Sequence, residues 1–221
     1  YIITGYTENI YSPWNKYGLI IKLNEYGDTL WSKFYINLDE IYGRNVIHTF
    51  DNGYFISGTT DYMENIYLIK TDNNGDTLWT RKYQPEGTAF VLASATIQAP
   101  DSGYVNTGYS DLGAYLFKIN KNGDSLWCKY YINSSGSAGG YDVQFASDGG
   151  YIIAGVTSAP PDYQSAIYLI KTDANGDTLW TKTYGGSNSY KTCASSIYQT
   201  NEGGYIIAGK IYDTLTTNYN I

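Results

Sequence analysis

Apolar positions along this chain fall in short runs of about four to seven residues, alternating or β-branched, each bounded by Gly, Asn or Asp. Ser195–Thr200 alternates, Glu202-Gly203-Gly204 interrupts it, and Tyr205–Gly209 is apolar again. Tyr168–Lys171 is a further apolar run, Asp173-Ala174-Asn175-Gly176 a turn, and Thr178–Tyr184 alternates around Trp180. Alternation between turn-forming clusters predicts strands, because successive side chains of a strand point to opposite faces. No segment holds an apolar stripe of period 3.6 over ten or more positions, so essentially no helix is predicted.

The pattern repeats. Gly27-Asp28-Thr29-Leu30-Trp31 returns as Gly75-Asp76-Thr77-Leu78-Trp79, Gly123-Asp124-Ser125-Leu126-Trp127 and Gly176-Asp177-Thr178-Leu179-Trp180, with the tryptophans 48, 48 and 53 residues apart. A Tyr-x-x-x-Gly run appears five times, beginning at Tyr1, Tyr54, Tyr104, Tyr151 and Tyr205. The unit is about 50 residues and divides the chain into approximately 1–50, 51–100, 101–147, 148–201 and a partial 202–221. Four short strands per unit predict an all-β fold, a β-propeller of four-stranded antiparallel blades forming one domain over 1–221. One twisted sheet cannot cover both of its faces, and stacking blades covers them while leaving only short edges. The first unit opens on a second strand and the last stops before a third. The chain is therefore expected to be a partial propeller, or part of a longer chain or larger assembly.

Composition agrees with strands and tight turns, at 26 Tyr and 24 Gly. A net charge of −7 argues against a nucleic-acid partner, which calls for a basic face. No run approaches 18 apolar residues, so no membrane span is expected. Cys128 and Cys193 stand in different contexts and read as free thiols rather than a disulfide. His48 is the only histidine, placed where other units carry Gln98, Phe145 and Gln199. A Ser-His-Asp or Cys-His arrangement would need it, and neither cysteine lies in a nucleophile motif. No catalytic residue, metal site or cofactor is expected. Asp72-Asn73-Asn74-Gly75-Asp76 has oxygens where a calcium loop begins, but Thr77 and Tyr83 stand where that loop needs Gly and Glu, so a hairpin is predicted instead.

Candidate binding residues lie in two sets of connections that break the repeat, 7–17, 59–65, 109–113 and 157–165, and 36–43, 84–89, 132–140 and 185–192. They carry the aromatics Tyr11, Trp14, Tyr42, Tyr62, Tyr163 and Tyr190 beside carboxylates that include Asp111 and Asp162. Aromatic rings beside carboxylates suit a carbohydrate or a protein partner. The function expected is a non-enzymatic binding or structural module. The alternative is a glycan-active hydrolase or lyase with carboxylates in the propeller funnel.

Residues 149–155, 168–173 and 175–186 read Gly-Gly-Tyr-Ile-Ile-Ala-Gly, Tyr-Leu-Ile-Lys-Thr-Asp and Asn-Gly-Asp-Thr-Leu-Trp-Thr-Lys-Thr-Tyr-Gly-Gly. They resemble the tandem β-propeller repeats of secreted bacterial surface proteins, including cargo of the type IX secretion system. That resemblance implies a secreted or cell-surface location. Asp-Thr/Ser-Leu at 28–30, 76–78, 124–126, 177–179 and 213–215 is similar to the acceptor of a bacterial general O-glycosylation system, which makes Thr29, Thr77, Ser125, Thr178 and Thr214 possible O-glycan sites.

Overall fold

The computed structural model describes residues 1–9, 12–35, 41–60, 63–132, 137–159, 164–185 and 190–213. Seventeen β-strands account for them, with no α-helix among the described residues. In chain order they are β1 (Ile2–Asn9), β2 (Ser12–Leu23), β3 (Thr29–Tyr35), β4 (Ile41–His48), β5 (Tyr54–Thr60), β6 (Ile66–Thr71), β7 (Thr77–Tyr83), β8 (Val91–Gln98) and β9 (Tyr104–Ser110). There follow β10 (Gly113–Ile119), β11 (Ser125–Tyr131), β12 (Ala138–Phe145), β13 (Tyr151–Ala159), β14 (Gln164–Thr172), β15 (Thr178–Tyr184), β16 (Tyr190–Gln199) and β17 (Tyr205–Asp213). No helix among the described residues is long and apolar enough to cross a membrane.

The chain divides into two compact units. The first comprises Tyr1–Asn106 and Phe117–Trp127, the second Thr107–Leu116 and Cys128–Ile221, so β9, β10 and β11 each contribute to both. In the first unit β1-β2-β3 form one sheet and β4-β5-β6-β7 another, antiparallel between sequence neighbours. The second sheet is a four-stranded antiparallel meander. In the second unit β12-β13-β14-β15 repeat it, and β16-β17 pair as a ribbon. One pairing departs from the expectation of separate sheets: Gly139 of β12 sits opposite Tyr109 of β9. Gly139 has no side chain, and a Cβ there would lie 3.1 Å from the Tyr109 ring, so glycine permits the approach.

Position within the sheet sets burial. All seven residues of β5 and all six of β6 are buried, whereas the last strand, β7, is mostly exposed. Ile20, Ile41, Tyr54, Ile56, Tyr67 and Ile69 form a core between the first two sheets, with Trp31 and Tyr35 against it. Ile152, Ala154, Leu169, Ala194 and Ile197 do the same in the second unit, with Trp180 alongside.

Two irregularities recur at fixed places. The first strand of a set carries a β-bulge, at Gly43/Asn45, Gly140/Asp142 and Ala194/Ser196. The last strand carries another just after its hairpin. Lys70 faces Trp79 and Thr71 faces Thr77, so Leu78 is the extra residue; Leu30 and Leu179 are its counterparts. A bulge lets one side chain step out of the alternation. Leu30, Leu78 and Leu179 accordingly stand 57–59% exposed, and the tryptophan that follows each turns back onto the sheet.

Candidate functional site

Most of the loop residues singled out by sequence lie wholly or by their side chains outside the described residues. Tyr11, Tyr62, Asp162 and Tyr163 lie outside the described residues, and Trp14 and Tyr190 lie on β2 and β16 with side chains outside them. Tyr42 is half-buried on β4, its ring edge-on to Tyr6 at 4.9 Å. Asp111 is exposed in the β9–β10 turn of the other unit. Thr29, Thr77, Ser125 and Thr178 are exposed at the first positions of β3, β7, β11 and β15, while Thr214 lies outside the described residues. His48 is exposed at the end of β4, edge-on to Tyr54 at 5.7 Å. Cys128 and Cys193 are free, and burial pushes both thiols up, Cys128 to about 11.

The turn chemistry is structural. Asp72 Oδ1 accepts the backbone N–H groups of Asn74 and Asp76 at 2.8 and 2.9 Å, and Asn24, Asn120 and Asp173 do the same in their hairpins. An oxygen committed to two amides holds the turn. Among the described residues no three His, Cys, Asp or Glu converge as metal ligands would.

The repeating basic residues are structural too. Lys70, Lys118 and Lys171 end the third strands, are at most 7% exposed, and pair with Asp51, Asp101 and Asp148 at 2.7–2.9 Å. Partial burial works to raise the Asp51 carboxyl. Hydrogen bonds from Thr49, Lys70 and the Gly53 N–H, with the Lys70 charge, outweigh it and hold Asp51 at about 2. Two residues after the tryptophan, Lys33 and Lys129 reach the next hairpin at Asp76 (2.6 Å) and Asp177 (2.9 Å). Two residues further on, Tyr35 and Tyr131 donate to the carbonyls of Gly75 (2.7 Å) and Gly176 (2.8 Å), and Tyr83 donates to that of Gly123. The tryptophan, the cation and the tyrosine thus share one face of the last strand and clasp the Asx-Gly-Asp turn of the following set.

Against this template one cleft stands out. It has a volume of about 430 Å³ and lies in the first unit, where the β4–β5 turn meets the β8–β9 turn and the β10–β11 hairpin. Phe50, Asp51, Lys70, Gln98, Ser102, Tyr104, Lys121 and Asn122 line it. Its floor is fixed. Tyr104 is 2% exposed and stacks on Phe55 at 3.9 Å, and burial, then the Asp51 charge, pushes its hydroxyl well above the usual tyrosine range. Gln98 Oε1 accepts the Phe50 backbone N–H at 2.8 Å while its Nε2 donates to the Ser102 carbonyl at 3.4 Å, tying one turn to the other. Ser102 holds a left-handed φ of 67°.

Its rim is open. The Phe50 ring is 67% exposed, and Lys121 and Asn122 are exposed. Among the described residues the Lys121 ammonium, the Asn122 side-chain amide and the Ser102 hydroxyl have no partner, the bonds of Asn122 and Ser102 being made by their backbone groups. Lys70 is spent on Asp51, so Lys121 supplies the uncompensated positive charge. Sequence reasoning missed this cleft because its residues sit in hairpins read as turns. The available signal was departure from the repeat. Where Phe50 stands, the other units have Pro100, Ser147 and Asn201; where Lys121 stands, they have Glu25, Asn73 and Ala174.

No family model matches this chain, and no curated protein matches it. Among solved structures the chain is similar to Drosophila Plexin A in complex with Semaphorin 1b, at 8% identity over 94% of this chain and 72% of that one, with a TM-score of 0.34.

Proposed function

We propose that this chain is a non-enzymatic sugar-binding module, built as a propeller-type repeat and displayed outside the cell. The cleft at Phe50 carries the reading. It pairs an exposed aromatic face with hydrogen-bonding groups that no other described residue uses, in a volume within the range of small-ligand sites. Sugar rings present a C–H face to an aromatic ring and hydroxyls to polar groups around it, as this rim would require. The two residues that give the rim its chemistry also break a repeat otherwise spent on packing and turns. Glycoside hydrolysis calls for two carboxyl groups flanking one bond. The cleft has Asp51, held ionised by Lys70, and this favours binding over turnover. The propeller reading draws on the recurring four-strand meander and the clasp between successive sets. The extracellular location draws on the repeat resemblance, as does O-glycosylation at Thr29, Thr77, Ser125 and Thr178.

A glycan array probed with the chain and with Phe50→Ser tests the reading. Ser is what the third unit carries at this place, at Ser147, so the variant retains the turn. Specific signals that vanish in Phe50→Ser are the expected result. Signals of equal strength in both proteins, or none in either, would overturn it.

A further inference from the structure

Resting on the sugar-binding reading above, we infer that the ligand is an acidic sugar, a hexuronate residue within a glycan, whose carboxylate pairs with Lys121 while its ring lies on Phe50. The cleft holds two ammonium groups, and they are not equivalent. Lys70 is buried and already bonded to Asp51 and to the Thr71 carbonyl, both at 2.9 Å, so it has little to offer a ligand. Lys121 is at the rim with its charge free, one residue from the unused Asn122 amide. Three donors of an ammonium beside the two of an amide match the oxygens of one carboxylate and a neighbouring hydroxyl. The Ser102 hydroxyl can take a further sugar hydroxyl on the opposite turn.

Phosphate fits the site less well. A bound phosphoryl group is usually cradled by several cations or by a row of backbone N–H groups. Here Lys121 is the one unspent cation of the cleft, and the neighbouring Asn122 N–H is bonded to Asn120 at 2.9 Å. The Asp51 carboxylate nearby does not cancel the attraction, because Lys70 neutralises it. The chain's net charge of −7 opposes an anion only weakly at physiological salt, where fields fade over about 8 Å.

The test is calorimetric titration of the 221-residue chain with a hexuronate trisaccharide and with its carboxyl-reduced, neutral counterpart. Phe50→Ser and Lys121→Ala are run beside it, each substituting a residue that another unit carries at that place. The acidic trisaccharide should bind at least tenfold more tightly than the neutral one. Lys121→Ala should erase that preference, and Phe50→Ser should weaken both ligands. Equal affinity for the two sugars, both sensitive to Phe50→Ser, would overturn the acidic assignment and leave sugar binding standing. A preference that survives Lys121→Ala would overturn the role of Lys121. Binding of neither sugar by the wild-type chain would overturn this inference, and with an empty glycan array the sugar-binding reading too.

Discussion

At the scale of the residue, the glycine of each hairpin shows how a repeated letter acquires different duties. Gly27 and Gly75 share a left-handed backbone, at φ 89° and 80°, which costs a non-glycine residue about 1–2 kcal/mol. A Cβ at Gly27 meets nothing within 4 Å, whereas at Gly75 it would lie 2.8 Å from the Trp31 ring. Gly27→Ala should therefore cost only the backbone term, and Gly75→Ala about 1–3 kcal/mol more from overpacking, read as a difference in urea midpoints. Equal losses would mean that Trp31 does not seat on the hairpin. The buried lysines give a second asymmetry. Asp51→Ala strands the Lys70 ammonium and should cost about 3 kcal/mol, while Lys70→Met leaves an exposed carboxylate in water and should cost under about 1.5 kcal/mol. The same pairs set the acid limit. Asp51, Asp101 and Asp148 are all more acidic folded than an ordinary carboxyl. Their contribution is complete above the unfolded value near ~4 and is lost as pH falls through the folded value, about 2 for Asp51. The melting temperature should be flat from neutral pH to about 4 and fall steeply below it. Melting scans across pH 7 to 1.5 check this, and a fall already complete by pH 5 would show that these carboxylates do not set the acid limit.

At the scale of the element, strand positions were legible because Gly, Asn and Asp punctuate alternating runs, and each run quoted from the sequence coincides with a strand of the fold to within one residue, Tyr1 and Thr200 falling just outside β1 and β16. The bulges were not legible. Gly-Asp-Thr-Leu-Trp reads as simple alternation, and only the pairing register shows that Leu78 is inserted opposite nothing. That register explains an apolar residue kept in four units and left 53–59% exposed. Trp31 and Trp79 do bear on the next hairpin, yet each is half-buried. Leu78→Ser should then leave stability within about 0.5 kcal/mol, as exposed changes do. Deleting Leu78 should cost at least as much as Trp79→Ala, about 2–4 kcal/mol, because losing one residue from the strand turns Trp79 to the opposite face. Denaturant unfolding of the three variants decides. A harmless deletion would mean that the bulge does not aim the indole. The cleft escaped sequence reasoning for a related reason. Phe50 and Lys121 occupy two-strand turns, where polar and irregular residues are ordinary, and they become a site only once packing brings the β4–β5 turn, the β8–β9 turn and the β10–β11 hairpin together.

At the scale of the whole molecule, repeat proteins couple neighbour to neighbour, and their cooperativity depends on the strength of each junction relative to each unit. Here the third set of strands belongs to both compact units: β9 gives Tyr104–Asn106 to one and Thr107–Ser110 to the other, and β10 and β11 divide likewise. A strand cannot melt at one end while its other end remains the buried centre of a sheet, since its backbone groups would lose their partners. β10 is buried along its whole length, and each unit holds part of it. The chain should unfold in one transition despite its repeats. Phe55→Ala, in the first unit, and Ile152→Ala, in the second, each remove a fully buried side chain and should shift that same transition by about 2–5 kcal/mol. Circular dichroism near 218 nm, which follows strands, and tryptophan fluorescence, which follows the clasps, should then trace superimposable curves for both variants. Two resolved transitions, one moved by Phe55→Ala and the other by Ile152→Ala, would show that the shared strands are no barrier to independent unfolding.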